Sequence, residues 1–287
     1  DSRRSQMAIL PGGLRRALPL GCRLPAALAP PPPQAGGGLR DRKLGSAGRF
    51  LSTSAQAGGT LYTTGWGKFG QLGLGEGITG AQEPTAVKTE GPVSDVSCGK
   101  KFTLFVSAGK VYAMGSNDHG ELGNTNFPKG SFEPVPVEGL DGVKIKQVST
   151  SHMSAMALSE DGEVFAWGYG GDSMSLGAGC LGLGDKKSRA VPEHVKVLEG
   201  QKVASISSGG NHAGALTEEG AIWTWGNGEN GRLGHGDNTT LVEPKVIAEM
   251  LKTKHFTCGD HFCAAIDTEG TLYTWGHNKV GELGHEG

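Results

Sequence analysis

Cys258, His261 and Cys263 stand close together near the end of the chain, and thiols with an imidazole are the donor types that hold zinc. A structural site needs four donors at suitable spacing, and this cluster offers three, so no metal is expected there. Three stretches fit the pattern Gly-x-Gly-x-x-Gly: Gly65 to Gly70, Gly177 to Gly182 and Gly226 to Gly231. A dinucleotide site would need a strand before the pattern, a helix after it and an acid ~20 residues on. Here strand-like residues lie on both sides and the pattern recurs, so the glycines read as turn residues. No Gly-x-x-x-x-Gly-Lys-Ser/Thr loop and no Gly-x-Ser-x-Gly elbow is present. We therefore expect no catalytic residue, no cofactor and no direct nucleotide binding. Asn238-Thr239-Thr240 is a glycosylation sequon, irrelevant if the chain is mitochondrial. His119, His235, His277 and His285 fall in turns and read as solvated loop residues.

What must position these groups is a repeat. An aromatic residue, a glycine three places on and a closing Gly-x-Leu-Gly occur five times, starting at Tyr62, Tyr112, Phe165, Trp223 and Tyr273. The first glycines are Gly65, Gly115, Gly168, Gly226 and Gly276, in steps of 50, 53, 58 and 50 residues. A period near fifty with β-type residues between marks a radial β repeat.

Each period holds four strand-like segments. Pro84, Pro134, Pro192 and Pro244 recur in one of them. Proline lacks the donor that a central strand needs, so this segment should be the outer edge of each sheet. Val96-Ser97-Cys98-Gly99, Val148-Ser149-Thr150, Ile206-Ser207-Ser208-Gly209 and Phe256-Thr257-Cys258-Gly259 recur as small residues suited to a crowded inner strand. Asp161-Gly162, Glu219-Gly220 and Glu269-Gly270 read as hairpin turns. Thr64 stands where other copies have Trp or Met, so the first copy is degenerate. Val246 to Lys252 is the one candidate helix, and it is short.

The chain of 287 residues has 50 glycines, well above the roughly 7% average, and five cysteines too irregular for a disulfide framework. No apolar run reaches the ~18 residues of a membrane-spanning helix. The net charge of −2 hides an asymmetry. Residues 1–57 carry nine Lys/Arg and two acids, so +7, which leaves −9 on the rest. An acidic body argues against bulk nucleic-acid binding by it. The leading segment is rich in Arg, Ala, Pro and Gly, and Pro30 to Pro33 with Gly36 to Gly38 exclude a stable helix or strand there. Arginine without acids resembles an organelle transit peptide, and Arg49-Phe50-Leu51-Ser52 resembles a mitochondrial cleavage region. We expect residues 1–57 to be a transit peptide, mitochondrial in the first instance, with a plastid address or a plain disordered tail as alternatives.

Aromatic-x-Trp-Gly followed by Gly-x-Leu-Gly, with Cys-Gly and an apolar strand after it, resembles the regulator-of-chromosome-condensation repeat family. Trp167-Gly168, Trp225-Gly226 and Trp275-Gly276 carry the likeness, which spans residues 60–287. The resemblance implies an all-β fold, a β-propeller of four-stranded blades, usually seven. About four and a half repeats are present, whereas seven would need ~350 residues, so we expect residues 58–287 to be truncated at the C-terminal end. The family often has His shortly after Cys-Gly. Here His212 fills that place, while Phe102, Ser154 and Phe262 do not, so no shared histidine ring is implied. Light-sensing members carry Gly-Trp-Arg-His-Thr segments that are absent here, and the three motif tryptophans read as blade packing.

The resemblance leaves two function classes open. One is a non-catalytic scaffold holding a protein partner, a GTPase or a ribonucleoprotein complex. The other is guanine-nucleotide exchange on a small or organellar GTPase, as in the family's founding member, which uses a propeller face and a projecting wedge. One departure bears on the choice. Gly168 and Gly179 are eleven residues apart, where the other copies have five. Loops on a rigid scaffold are where function concentrates. Tyr169, Asp172, Ser173, Met174 and Leu176 in this insertion are the candidate partner contacts.

Overall fold

The computed structural model describes residues 59–171, 179–250 and 252–285, with the backbone of Arg15–Arg16. The expected transit peptide lies outside the described residues, those two apart. The body is built from antiparallel strands. A leading hairpin, β2 (Tyr62–Trp66) with β3 (Gly80–Ala86), precedes the sheets. The first blade is β4 (Val93–Cys98), β5 (Phe102–Ser107), β6 (Lys110–Gly115) and β7 (Ser131–Pro136). The second is β8 (Ile145–Thr150), β9 (Ser154–Ser159), β10 (Val164–Gly168) and β11 (Arg189–His194). The third is β12 (Val203–Ser208), β13 (His212–Thr217), β14 (Ile222–Gly226) and β15 (Leu241–Val246). The fourth holds β16 (Thr253–Cys258), β17 (Phe262–Asp267) and β18 (Leu272–Gly276), with β1 (Arg15–Arg16) paired to β18.

In the first three blades strand order follows chain order, as simple up-and-down connections require, and in the fourth β1 takes the outer place beside β18. The proline strands β7, β11 and β15 are edges, each paired on one side only, as proline's missing donor demands. At the opposite edge, β4, β8, β12 and β16 lie side by side in sequence order. The strands next to them, β5, β9 and β13, are buried along their whole length. Residues there pack on both faces, which is why they read as continuous apolar runs rather than alternating ones.

The core therefore sits between blades. One cluster joins Leu104, Val106 and Ala113 of the first blade to Ile145, Val148, Ala157 and Trp167 of the second. The next joins Met156, Leu158 and Ala166 to Ile206, Ala215 and Trp225. A third joins Leu216, Ile222 and Ile247 to Cys263, Ala265 and Trp275. The expected helix from Val246 to Lys252 does not form. Val246 ends β15, and residues 247–250 make a single turn closed by the Met250 N–H on the Ile247 carbonyl at 3.2 Å. The apolar positions Ile247 and Met250 belong to the junction with the fourth blade, and that packing overrides a weak helical pattern. Among the described residues the only helical pieces are two 3₁₀ turns, Lys196–Leu198 and Glu229–Gly231.

Candidate functional site: the blade junctions and the loop after Trp167

The repeated motif works across blades, not within one. Each Gly-x-Leu-Gly folds into a turn in which the last glycine N–H donates to the first glycine carbonyl, as from Gly182 to Gly179 at 3.1 Å. The leucine goes into the core: Leu122, Leu181 and Leu233 are all buried. The turn then faces the tryptophan of the following blade. Trp167 Nε1 donates to the Glu121 carbonyl at 2.9 Å, Trp225 Nε1 to Cys180 at 3.1 Å and Trp275 Nε1 to Arg232 at 3.1 Å. The last glycine is needed twice over. Gly182 has φ +71, and a Cβ there would stand 2.9 Å from Trp225 Nε1. The expectation that these tryptophans pack the blades holds, and the N–H bond adds register to the packing.

A second set of bonds joins the inner strands. The Thr150 N–H donates to Ser97 Oγ at 3.0 Å, Ser208 N–H to Ser149 Oγ at 2.9 Å and Cys258 N–H to Ser207 Oγ at 2.9 Å. Val148 N–H reaches Asp95 at 2.7 Å, and Ile206 exchanges two bonds with the Gln147 amide. Asp95 is held above the ordinary carboxylate range by burial, against the pull of the Val148 N–H. These inter-strand side chains do for the row of blades what a backbone ladder does inside a sheet.

The turns that follow the inner strands form a polar rim. Lys100 N–H donates to the His152 carbonyl at 3.2 Å, and Gly210 N–H to the Asp260 carbonyl at 3.0 Å. On this rim Asp260 lies 3.3 Å from His152 and 3.6 Å from His261. Arg232, itself buried, reaches His261 Nδ1 at 3.2 Å.

The insertion begins from a closed stem. Gly179 N–H donates to the Gly170 carbonyl at 3.0 Å, and Cys180 Sγ lies 3.0 Å from the Tyr169 carbonyl. Tyr169 was expected among the contact groups. It is buried, 3% exposed, with its ring 4.9 Å from the His119 ring, and so anchors the root of the loop. Its hydroxyl has no partner among the described residues. Asp172, Ser173, Met174 and Leu176 lie outside the described residues.

The cysteine cluster is assembled differently from its sequence reading. His261 turns to the rim, and His212 of the third blade comes in instead. His212 Nε2 is 3.2 Å from Cys263 Sγ, which is 3.6 Å from Cys258 Sγ. Burial, opposed by the Thr103 hydroxyl at Cys98 and by Ser154 at Cys180, pushes the Cys98 thiol up to about 12 and Cys180 to about 11. Cys258 goes the other way: burial opposes its ionisation, but the Cys263 thiol and the His212 ring outweigh that and lower its pKa, while Cys263 is raised by burial and by its neighbour. Histidine 212 lies 46 residues before Cys258, with no local spacing to announce it.

The Regulator of chromosome condensation (RCC1) repeat matches residues 58–106, 108–158, 161–216 and 219–266. This chain belongs to the RCC1 repeat family. Among curated RCC1 relatives, the mitochondrial RCC1 domain-containing protein RUG3 of Arabidopsis thaliana is 37% identical over 186 residues, 61% of this chain and 40% of that protein. The ultraviolet-B receptor UVR8 of the same plant is 32% identical over 203 residues, 70% of this chain and 44% of the receptor. The chain thus spans about two fifths of the length of these relatives. Of solved RCC1-type structures, human WBSCR16 superposes with a TM-score of 0.66 at 27% identity, covering 78% of this chain and 58% of that one. Prp20p of Saccharomyces cerevisiae gives 0.71 at 23% identity, covering 82% and 57%. The β-propeller fold read from the repeats is the fold observed.

Proposed function

We propose that this RCC1-repeat chain is a non-catalytic protein-interaction scaffold of mitochondria, holding a GTPase or a ribonucleoprotein complex. The observation that carries the reading is where the recurring polar groups go. The tryptophan N–H groups and inner-strand hydroxyls are bonded across blade junctions, so the repeat chemistry builds a rigid body whose loops are left to recognise a partner. The mitochondrial relative RUG3 and the arginine-rich, acid-poor leading segment support the location. Within this proposal the insertion after Trp167 supplies partner contacts from Asp172, Ser173, Met174 and Leu176, set on a stem that Tyr169 anchors.

Exchange of guanine nucleotide is the second reading. It is favoured by the likeness to the mouse Regulator of chromosome condensation, 38% identical over 178 residues, and by Prp20p, whose structure was described with its binding to Gsp1p and histones. Deleting Gly171 to Leu176 separates the possibilities. Capture of a partner from isolated mitochondria should be abolished while the melting temperature stays nearly unchanged. Unchanged capture would remove the loop from the reading. Accelerated release of a fluorescent nucleotide from the captured GTPase, lost on the same deletion, would establish exchange over pure scaffolding.

A further inference from the structure

The junction of the third and fourth blades contains a donor set that the repeat does not require. Cys258 ends β16, and Cys263 stands directly opposite it on β17. The first blade has Cys98 and Thr103 at this cross-strand pair, the second Thr150 and Ala155, and the third Ser208 and Ala213. At the place of His212, the other blades carry Phe102, Ser154 and Phe262. Only here among the described residues do two thiols and an imidazole meet, and their ligand atoms all lie within 4.8 Å of one another.

The geometry points to a zinc site formed by His212, Cys258 and Cys263. Zinc–sulfur bonds of about 2.3 Å and zinc–nitrogen bonds of about 2.0 Å at tetrahedral angles imply S···S of ~3.8 Å and N···S of ~3.5 Å. The observed 3.6 Å between the sulfurs and 3.2 Å from His212 Nε2 to Cys263 Sγ lie within a few tenths of an ångström of those spans, and the third pair, His212 with Cys258, lies within 4.8 Å and closes on the ion as it binds. The donor types are those zinc selects, and two thiolates neutralise its charge in a site where unbalanced charge would be costly. Binding releases the two thiol protons to solvent, and the neutral imidazole gives its Nε2 lone pair. Glycine at 209 leaves room for the ring, which a Cβ there would overlap, and the buried Nδ1 on the far side of the ring has no hydrogen-bond partner among the described residues. His212 and Cys263 are fully buried, whereas Cys258 keeps partial exposure and sets the cluster next to solvent. With three protein donors this is not the closed four-donor site that the sequence lacks but an open one, its fourth tetrahedral position left to solvent beside the partly exposed Cys258. Because the ligands come from two blades, the ion would tie the junction together. This site is independent of the partner-binding reading.

The test is the zinc content of the full chain, loaded with Zn2+ under reducing conditions and dialysed against metal-free buffer. About one ion per chain is expected to remain. Cobalt substituted for it should give the intense thiolate-to-metal absorption of a sulfur-ligated ion, and X-ray absorption on the zinc form should show two sulfurs and one imidazole nitrogen. The variants C258S and C263S should lower retention more than about tenfold, since loss of a ligand exceeds loss of a supporting contact. C98S, a cysteine at the same strand position in the first blade, should retain the ion. The absorption measurements use the unmutated chain, so a variant that fails to fold does not blunt the test. Substoichiometric zinc, a first shell without sulfur, equal loss in C98S, or a Cys258–Cys263 disulfide in the reduced, zinc-treated protein would each overturn the site.

Discussion

Two junctions of this propeller solve one problem with different residues. In the third blade, Trp225 stands cross-strand from Ala213 and donates its N–H to the carbonyl of Cys180, the second residue of Gly-x-Leu-Gly. Where the leading hairpin meets the first blade, Met114 takes the tryptophan's place and packs against Gly73. Methionine has no N–H to offer. There Thr103, the cross-strand partner of Met114, donates its hydroxyl to the equivalent carbonyl of Gln71 at 2.9 Å. A large ring with a small partner has been exchanged for a thin side chain with a larger, polar partner. The requirement common to both junctions is thus a satisfied turn carbonyl and a filled gap, and the identity of the residue is secondary.

Trp225→Ala should be the largest perturbation. It empties a fully buried site and strips the Cys180 carbonyl of its donor, so a loss of about 3–5 kcal/mol is expected from denaturant midpoints. A loss under about 1 kcal/mol would show that the junction collapses freely and that the N–H bond is incidental. The exchange itself can be transplanted. A213T and W225M should each destabilise, the first by overpacking of about 1–3 kcal/mol and the second through a partial cavity. Together they should recover part of that loss, with a coupling of about 0.5–3 kcal/mol. Strict additivity would break the equivalence of the two junctions. The smallest effect belongs to Thr103→Ala, expected at about 1 kcal/mol, since it removes the hydroxyl that bonds the Gln71 carbonyl and more weakly Cys98 Sγ, and leaves Met114 in place.

The strands and turns were legible because they recur. Four copies of one weak signal, such as the proline of the outer strand, outweigh the noise in any single copy, and the edge position of β7, β11 and β15 follows from proline's missing donor. The candidate helix from Val246 to Lys252 misled because Ile247 and Met250 are spaced like a helix face but serve a junction. Tyr169 misled because an aromatic residue in a glycine-rich insertion looks exposed, whereas it packs on His119 of the preceding blade's turn. The Cys258–Cys263 pair is visible in the sequence, but the histidine beside it there, His261, turns to the rim, and the ring that arrives is His212.

Sequence by itself determined what is local or periodic: the four-stranded unit, its hairpin glycines, the outer and inner strands, the buried tryptophans and the family. These depend on backbone propensities and on burial patterns within about fifty residues, which the repeat displays several times over. Tertiary structure decided which groups meet across blades. The Trp225 N–H finds a carbonyl 45 residues earlier, Ser149 Oγ takes an N–H 59 residues on, and His212 meets a thiol 51 residues on. Those pairings depend on how one twisted sheet seats against the next, and a side chain's partner there is set by the packing angle and depth of two blades rather than by its own neighbours in the chain.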